Sequence, residues 1–266
     1  IGAGWLGQPL AQSLIQQQYD VTVSCTNAEK VLQLAARGIH AVSATLSQKA
    51  EGDWQTLLQH KDVAICLLPP NHGNHGNSSY ALQINLLLQQ LKQYNVRKFV
   101  FISSTSVYKK DNALINEESA LEPTASVYDA EQNVLAAAHI DATIVRFSGL
   151  ISRDRNPTRT LSRRSSEGHC YNAAQTPVNL IHQQDCIAII QQILVQNCWG
   201  EIFNACCDVH VSRQAFYQQS ATILAIPKPS FNDASSKPHC IISNAKLKQQ
   251  LAYEFKHNSI AQLTEK

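Results

Sequence analysis

At 266 residues the chain is long enough for one α/β unit or two small domains with an ample core. Its 22 basic and 20 acidic residues leave a formal net charge of +2, a balance that demands neither nucleic acid nor an anionic membrane surface as partner. No run of 18 apolar residues occurs, which argues against a membrane-spanning helix.

The chain opens IGAGWLGQPL, a G-x-G-x-x-G pattern on Gly2, Gly4 and Gly7. In a dinucleotide site the first glycine makes a tight turn and the second lets backbone approach a pyrophosphate; the third lets the next helix pack close to the sheet. The following PLAQSLIQQQYD puts Leu10, Leu14 and Ile15 on one side of a helix, with Pro9 tolerated in its first turn. Only Ile1 precedes the motif, and the chain contains no Met. The expectation is that most of a first strand lies outside this sequence. No signal-peptide pattern is visible in the residues given.

Next, DVTVSCT reads as a strand, NAEKVLQLAARG as a helix closed by Gly38, and HAVSATL as a further strand. DWQTLLQH is helical, and DVAICLLPP is a buried strand stopped by two prolines. The loop PPNHGNHGN carries His72 and His75 at a spacing that could suit a metal, but no carboxylate or cysteine nearby completes a ligand set, and a loop is the simpler reading. No metal is expected. SSYALQINLLLQQLKQYN is a long helix with Tyr80 in a structural role, and RKFVFISSTSVY is an apolar strand running into hydroxyl residues. VYDAEQNVLAAAHI (helix) and ATIVRFSGL (strand) follow. The polar, basic SRDRNPTRTLSRRSSEG interrupts the pattern, and VNLIHQQDCIAIIQQIL restores a strand-to-helix step with Asp185 as helix N-cap.

Such alternation, with near-continuous apolar strands, predicts an α/β protein with a Rossmann-type, doubly wound parallel sheet. Residues 1–150 are expected to form this dinucleotide-binding domain, with 177–200 returning to it. Residues 151–266 are expected to form mainly a smaller C-terminal α/β substrate lobe. The eight cysteines (25, 66, 170, 186, 198, 206, 207 and 240) show no C-x-x-C spacing, as expected of reduced, mostly buried thiols in a cytoplasmic protein. Cys206 and Cys207 are read as packing residues.

Taken together, the glycine fingerprint, CLLPP, FISSTSVY and NLIHQQD resemble the extended and atypical branches of the short-chain dehydrogenase/reductase superfamily, specifically its nucleoside-diphosphate-sugar epimerase-like proteins. RFSGLISRDRNP resembles that group's strand-then-arginine segment, and EIFNACCDVHVSRQAFY and ISNAKLKQQLAYEF resemble its C-terminal lobe. The resemblance implies a sheet that binds NAD or NADP through Gly2, Gly4, Trp5, Leu6 and Gly7, with Leu68 and Pro69 at the next strand end. It also implies a small-molecule substrate such as a nucleotide-sugar, in a monomer or homodimer.

NAD-selective sites usually carry an acidic residue about 20 positions after the glycines, bonded to the ribose hydroxyls. Here the stretch is SCTNAEK, with no carboxylate before Glu29. Thr26, Asn27 and Lys30 offer hydroxyl, amide and ammonium donors that suit a 2′-phosphate, so NADP is the expected cofactor over NAD.

For catalysis, the family uses a hydroxyl after the FIS strand, a tyrosine that passes the proton, and a lysine four residues later. Ser104 matches the hydroxyl. Tyr128 is the nearest tyrosine candidate, but the residue four later is Gln132, which shares its helix face and supplies no charge. A phenol of pKa near 10 is only about 0.1% ionised at pH 7, and lowering that value takes a neighbouring cation. A second alignment takes Glu131 as the glutamate that often follows the tyrosine by eight residues. The tyrosine position then falls on Pro123, which has no acid to offer. Two functions therefore stand side by side: an NAD(P)-dependent oxidoreductase or epimerase with an atypical site, and a non-catalytic NADP(H)-binding protein. Arg155, in RDRNP, sits where the family often places an arginine near a diphosphate substrate; Arg163 and Arg164 read as a solvated face. His182 and Asp185 resemble a family motif that capping and packing explain.

Overall fold

The computed structural model describes residues 1–70, 76–111, 114–232 and 238–264. His72 and His75 lie outside the described residues. In chain order the first elements are α1 (Gly7–Gln16), β1 (Thr22–Cys25), α2 (Ala28–Ala35), β2 (His40–Leu46), β3 (Ala50–Gly52), α3 (Trp54–Leu58) and β4 (Val63–Cys66). Then come α4 (Gly76–Gln93), β5 (Lys98–Ser104), β6 (Leu114–Ile115), α5 (Tyr128–Ala136), β7 (Asp141–Phe147) and β8 (Gly149–Ile151). The chain continues through α6 (Pro157–Ser166), β9 (Cys170–Tyr171), β10 (Leu180–His182), α7 (Gln183–Gln196) and β11 (Ile202–Ala205). It closes with α8 (Arg213–Leu224), β12 (Ser230–Phe231), β13 (Ile241–Ile242), α9 (Ala245–Leu251) and α10 (Ile260–Thr264).

Two compact units result: residues 1–107, 121–146 and 190–202 form the first, and 108–120, 147–189 and 203–266 the second. In the first unit β1 pairs in parallel with β2, and β4 in parallel with β5, within the orders β1-β2-β3 and β7-β5-β4. Residues 1–3 join the two sheets. The Ile1 nitrogen donates to Ile65 O (2.6 Å), Leu67 N to Ile1 O (2.9 Å) and Ala3 N to Ser24 O (3.0 Å). The short segment therefore lies between β1 and β4, at the point where the strand order reverses. This is the doubly wound parallel arrangement expected from the alternation, and ligands of such sheets bind at that reversal.

The periodicities that predicted these elements also fill the core. From α1, Leu10, Ala11 and Leu14 are buried. Ala11 packs with Ala3, Val23, Cys25, Leu34, Ile39 and Ala41. Gly38, at φ +73°, makes the reversal after α2 that the sequence predicted. α6, within the basic stretch, starts where Asn156 Oδ1 accepts from Thr158 N at 3.0 Å and Pro157 occupies the first turn.

The second unit is built differently. Its parallel pairs β8–β10, β9–β12 and β6–β13 are only two or three residues long. Strands this short do not cohere by themselves, and side-chain staples join them. Asn179 Nδ2 donates to Cys240 O (2.9 Å) while its Oδ1 accepts from Ile242 N (3.0 Å). Asn244 Nδ2 bonds both Cys206 O and Asp208 Oδ1 at 2.7 Å. Among the cysteines, 25, 66, 186, 206, 207 and 240 are buried, and all eight are free thiols.

Candidate functional site

The glycine turn follows residues 1–3. Gly4 N donates to Gly2 O at 2.8 Å, and Gly2 N donates to Ser24 Oγ at 3.0 Å, which ties the turn to the end of β1. Gly2 has φ +95°, and a Cβ there would lie 3.2 Å from Leu68 Cδ2. Gly7 is required for a different reason: its Cβ would lie 2.2 Å from Gly2 O. Gly4 has neither constraint. Its φ is ordinary and a Cβ would meet nothing within 4 Å, so the backbone here borders open space. The residue before α1 is Leu6, which makes no side-chain cap, and no acid lies in the first turn. Free N–H groups at a helix start beside an open glycine backbone fit a diphosphate. Trp5 is half-buried and Leu6 buried.

Leu68 closes one side of this turn. Its carbonyl accepts from Tyr80 Oη at 2.9 Å, and burial pushes the Tyr80 phenol well up, which keeps it a donor. Tyr80 thus has the structural role expected of it. Pro69 is exposed beyond it. At the end of β1, Thr26 and Asn27 are exposed and Lys30 is half-buried. Asn27 caps α2, with Oδ1 accepting from Lys30 N at 2.8 Å, which leaves its amide NH2 as the outward donor.

Ser104 ends β5 half-buried, and its Oγ accepts from Ser106 N at 3.1 Å. Tyr128 begins α5 half-buried, with Gln132 one turn later on the same face. At the alternative position, Pro123 is exposed and the residue four later, Val127, is buried. Neither alignment places a lysine beside the acid. Glu131 is fully buried: Oε1 takes Arg146 Nε and Nη2 at 2.7 Å each, and Oε2 accepts from Ser103 Oγ at 3.4 Å. Burial raises the Glu131 pKa against the pull of the guanidinium.

In the second unit, Arg155 is exposed in a turn where its N donates to Ser152 Oγ (3.1 Å) and its carbonyl accepts from Ser152 N (3.2 Å). Arg163 and Arg164 are exposed on α6.

Asp185 does not cap α7. The helix begins two residues earlier, at Gln183, and the carboxylate turns instead toward residues 253–257. Oδ1 accepts from Tyr253 Oη (2.7 Å) and Lys256 N (2.8 Å), and Oδ2 from His257 Nδ1 (2.8 Å) and His257 N (3.2 Å). His182 stacks on His257 with ring centroids 3.7 Å apart. The sequence reading missed His257 and Tyr253, which no spacing rule links to Asp185. The buried side chains of His182, Asp185 and His257 lie close enough to one another for a metal. Four donors already fill both carboxylate oxygens, however, so the cluster works as a hydrogen-bonded latch.

One cavity of the first unit runs along α1 from the amino ends of β1 and β4, at Thr22 and Val63, to Ile1, Gly2, Gly7 and Leu67 beside the glycine turn. Ligands of doubly wound sheets bind at the carboxyl ends, so the glycine-turn end of this cavity is the candidate site.

Comparisons with known proteins agree with this geometry. The profile of the family described as NAD(P)H-binding matches residues 2–175. The curated Protein YeeZ of Escherichia coli (strain K12) is 26% identical, over 97% of this chain and 94% of its own. Among solved structures, UDP-glucuronic acid 4-epimerase from Bacillus cereus in complex with NAD has a TM-score of 0.78 at 18% identity, covering 98% of this chain and 94% of that one. A functionally unknown conserved protein from Silicibacter pomeroyi DSS has a TM-score of 0.73 at 20% identity, over 97% and 93%.

Proposed function

The chain belongs to the NAD(P)H-binding family, and on that premise we propose that it is an NADP(H)-dependent oxidoreductase or epimerase-like enzyme for a nucleotide-linked sugar or similar small molecule. The observation that carries the reading is the glycine turn at the strand-order reversal, where Gly4 borders open space beside an uncapped helix start. A nicotinamide cofactor bound there supplies a hydride acceptor or donor. The backbone N–H groups of Leu6 and Gly7 at the start of α1 hold its diphosphate beside Gly2, Gly4 and Trp5, Leu68 and Pro69 flank it, and Thr26, Asn27 and Lys30 serve the 2′-phosphate. Ser104 donates a hydrogen bond to a substrate oxygen, and Tyr128, with Gln132 beside it, is the candidate proton donor. Arg155 anchors an anionic substrate group, since its planar fork of donors matches phosphate oxygens and stays charged. The nucleotide-sugar class is supported by the fold neighbours, one of which is described as MoeE5 in complex with UDP-glucose and NAD.

One observation favours a second reading. Gln132 stands where a cation would lower the tyrosine pKa, so the site also suits a protein that binds NADP(H) without turning over a substrate. The test is a titration of the purified chain with NADPH and NADH, followed by absorbance of the reduced nicotinamide against a panel of nucleotide-sugars. NADPH is expected to bind tighter, and sugar-dependent turnover should fall by roughly 10²–10⁴ in Tyr128→Phe with cofactor affinity intact. Unchanged turnover would assign Tyr128 to the helix surface. NADPH binding with no response to any sugar would support the second reading.

A further inference from the structure

Gln8, in the first turn of α1, bridges two parts of the first unit. Its Nε2 donates to Ala3 O, inside the glycine turn, at 3.2 Å. Its Oε1 accepts from Nη1 of Arg37 at 3.2 Å, across 29 residues of sequence. The Arg37 guanidinium is therefore one amide away from the glycine turn. The same turn is bonded to Ser24 through Ala3 N and Gly2 N, two residues before Thr26. In a dinucleotide site the 2′ oxygen of the ribose lies near this strand end.

The charges around this corner favour an anion. Gln8 is neutral, so its bond to Arg37 leaves the guanidinium charge uncompensated by that partner. Glu29, the first carboxylate after β1, accepts from Gln33 Nε2 at 3.2 Å along its own helix. Arg37 is exposed, while Leu34 and Ile39 on either side of it are buried in the core. The backbone that carries the arginine is thus fixed, and its arm can adjust.

Resting on the NADP(H) reading above, we propose that Arg37 is the cation that selects the 2′-phosphate, with Gln8 as the tether that holds it at the glycine turn. A guanidinium can give two parallel N–H bonds to phosphate oxygens, which an ammonium cannot. The stretch SCTNAEK contains no arginine; the fold supplies one from the turn that follows α2.

The test is calorimetry of the full chain with NADPH, NADH, 2′,5′-ADP and 5′-ADP, for the wild type, Arg37→Gln, Arg37→Lys and Gln8→Leu. Arg37→Gln should weaken NADPH and 2′,5′-ADP about ten-fold and change NADH and 5′-ADP by less than about two-fold, with Arg37→Lys intermediate. Gln8→Leu, which keeps the charge and cuts the tether, should shift the same ratio in the same direction. A NADPH preference that survives Arg37→Gln overturns this assignment and leaves the NADP(H) reading standing. Tighter NADH than NADPH binding by the wild type overturns that reading, and this assignment with it. Equal weakening of all four ligands would make Arg37 a structural residue. Its exposed position should keep the melting temperature of the variants near that of the wild type.

Discussion

A Cβ on Gly7 would sit 2.2 Å from the carbonyl oxygen of Gly2, whereas one on Gly4 would meet nothing within 4 Å. The two glycines of one motif should therefore respond differently to alanine. Gly7→Ala forces the turn apart and should cost about 1–3 kcal/mol of stability, seen as a lower denaturation midpoint. Gly4→Ala should leave the midpoint nearly unchanged and weaken NADPH binding, because its new methyl occupies the space a diphosphate needs. A second residue-scale prediction concerns alkaline pH. Burial pushes the Cys207 thiol up to about 11, from an ordinary value of 9.0. A thiol with a raised folded-state pKa favours the folded protein fully below pH 9.0, and that contribution is lost as pH rises toward 11. Between those values the unfolded chain releases a proton that the folded one keeps. Stability should fall there by up to about 1.4 kcal/mol per pH unit from this group. Denaturation midpoints across that range should show a shallower slope in Cys207→Ala.

Between elements, a buried polar tie of the first unit joins α5 to β7. Glu131 and Arg146 are both buried and meet at 2.7 Å, with Ser103 of β5 on the other carboxylate oxygen. A buried pair is weak support for net stability, but removing one member strands the other charge without water. Arg146→Met or Glu131→Gln should each cost roughly 3–5 kcal/mol. Replacing both together by apolar residues should recover much of the loss. Urea denaturation of the single and double variants reads this directly. If the single variants cost nothing, α5 is held by its apolar face alone. Because Tyr128 and Gln132 ride on the same helix, the pair also fixes where those two side chains stand.

At the scale of the whole molecule, the two units solve their folding by different means. In the first, residues 1–3 close the gap between β1 and β4 and bring the glycine turn to the reversal of strand order. That is the place where a doubly wound sheet offers its helix starts and strand ends to one ligand. In the second, strands of two or three residues and the segments beside them are tied down by Asn179, Asn244 and Asp185. Asp185 draws Tyr253 and His257 onto α7 and spends all its acceptor capacity doing so. Its chemistry there is cohesion.

What the sequence determined by itself is local. The spacing of Gly2, Gly4 and Gly7, the apolar face of α1 and the β-α alternation each depend on residues within a turn or two of one another. Such constraints leave a period or a fingerprint that can be read along the chain. The hydroxyl and amide residues after β1 were legible in the same way, as was the missing lysine beside Tyr128. What only the tertiary structure decided are pairings across long separations: Arg146 with Glu131, Arg37 with Gln8, and Asp185 with Tyr253 and His257 in place of its own helix start. A buried carboxylate accepts whichever donors the fold brings within 3 Å or so. No spacing in the sequence records which donors those are.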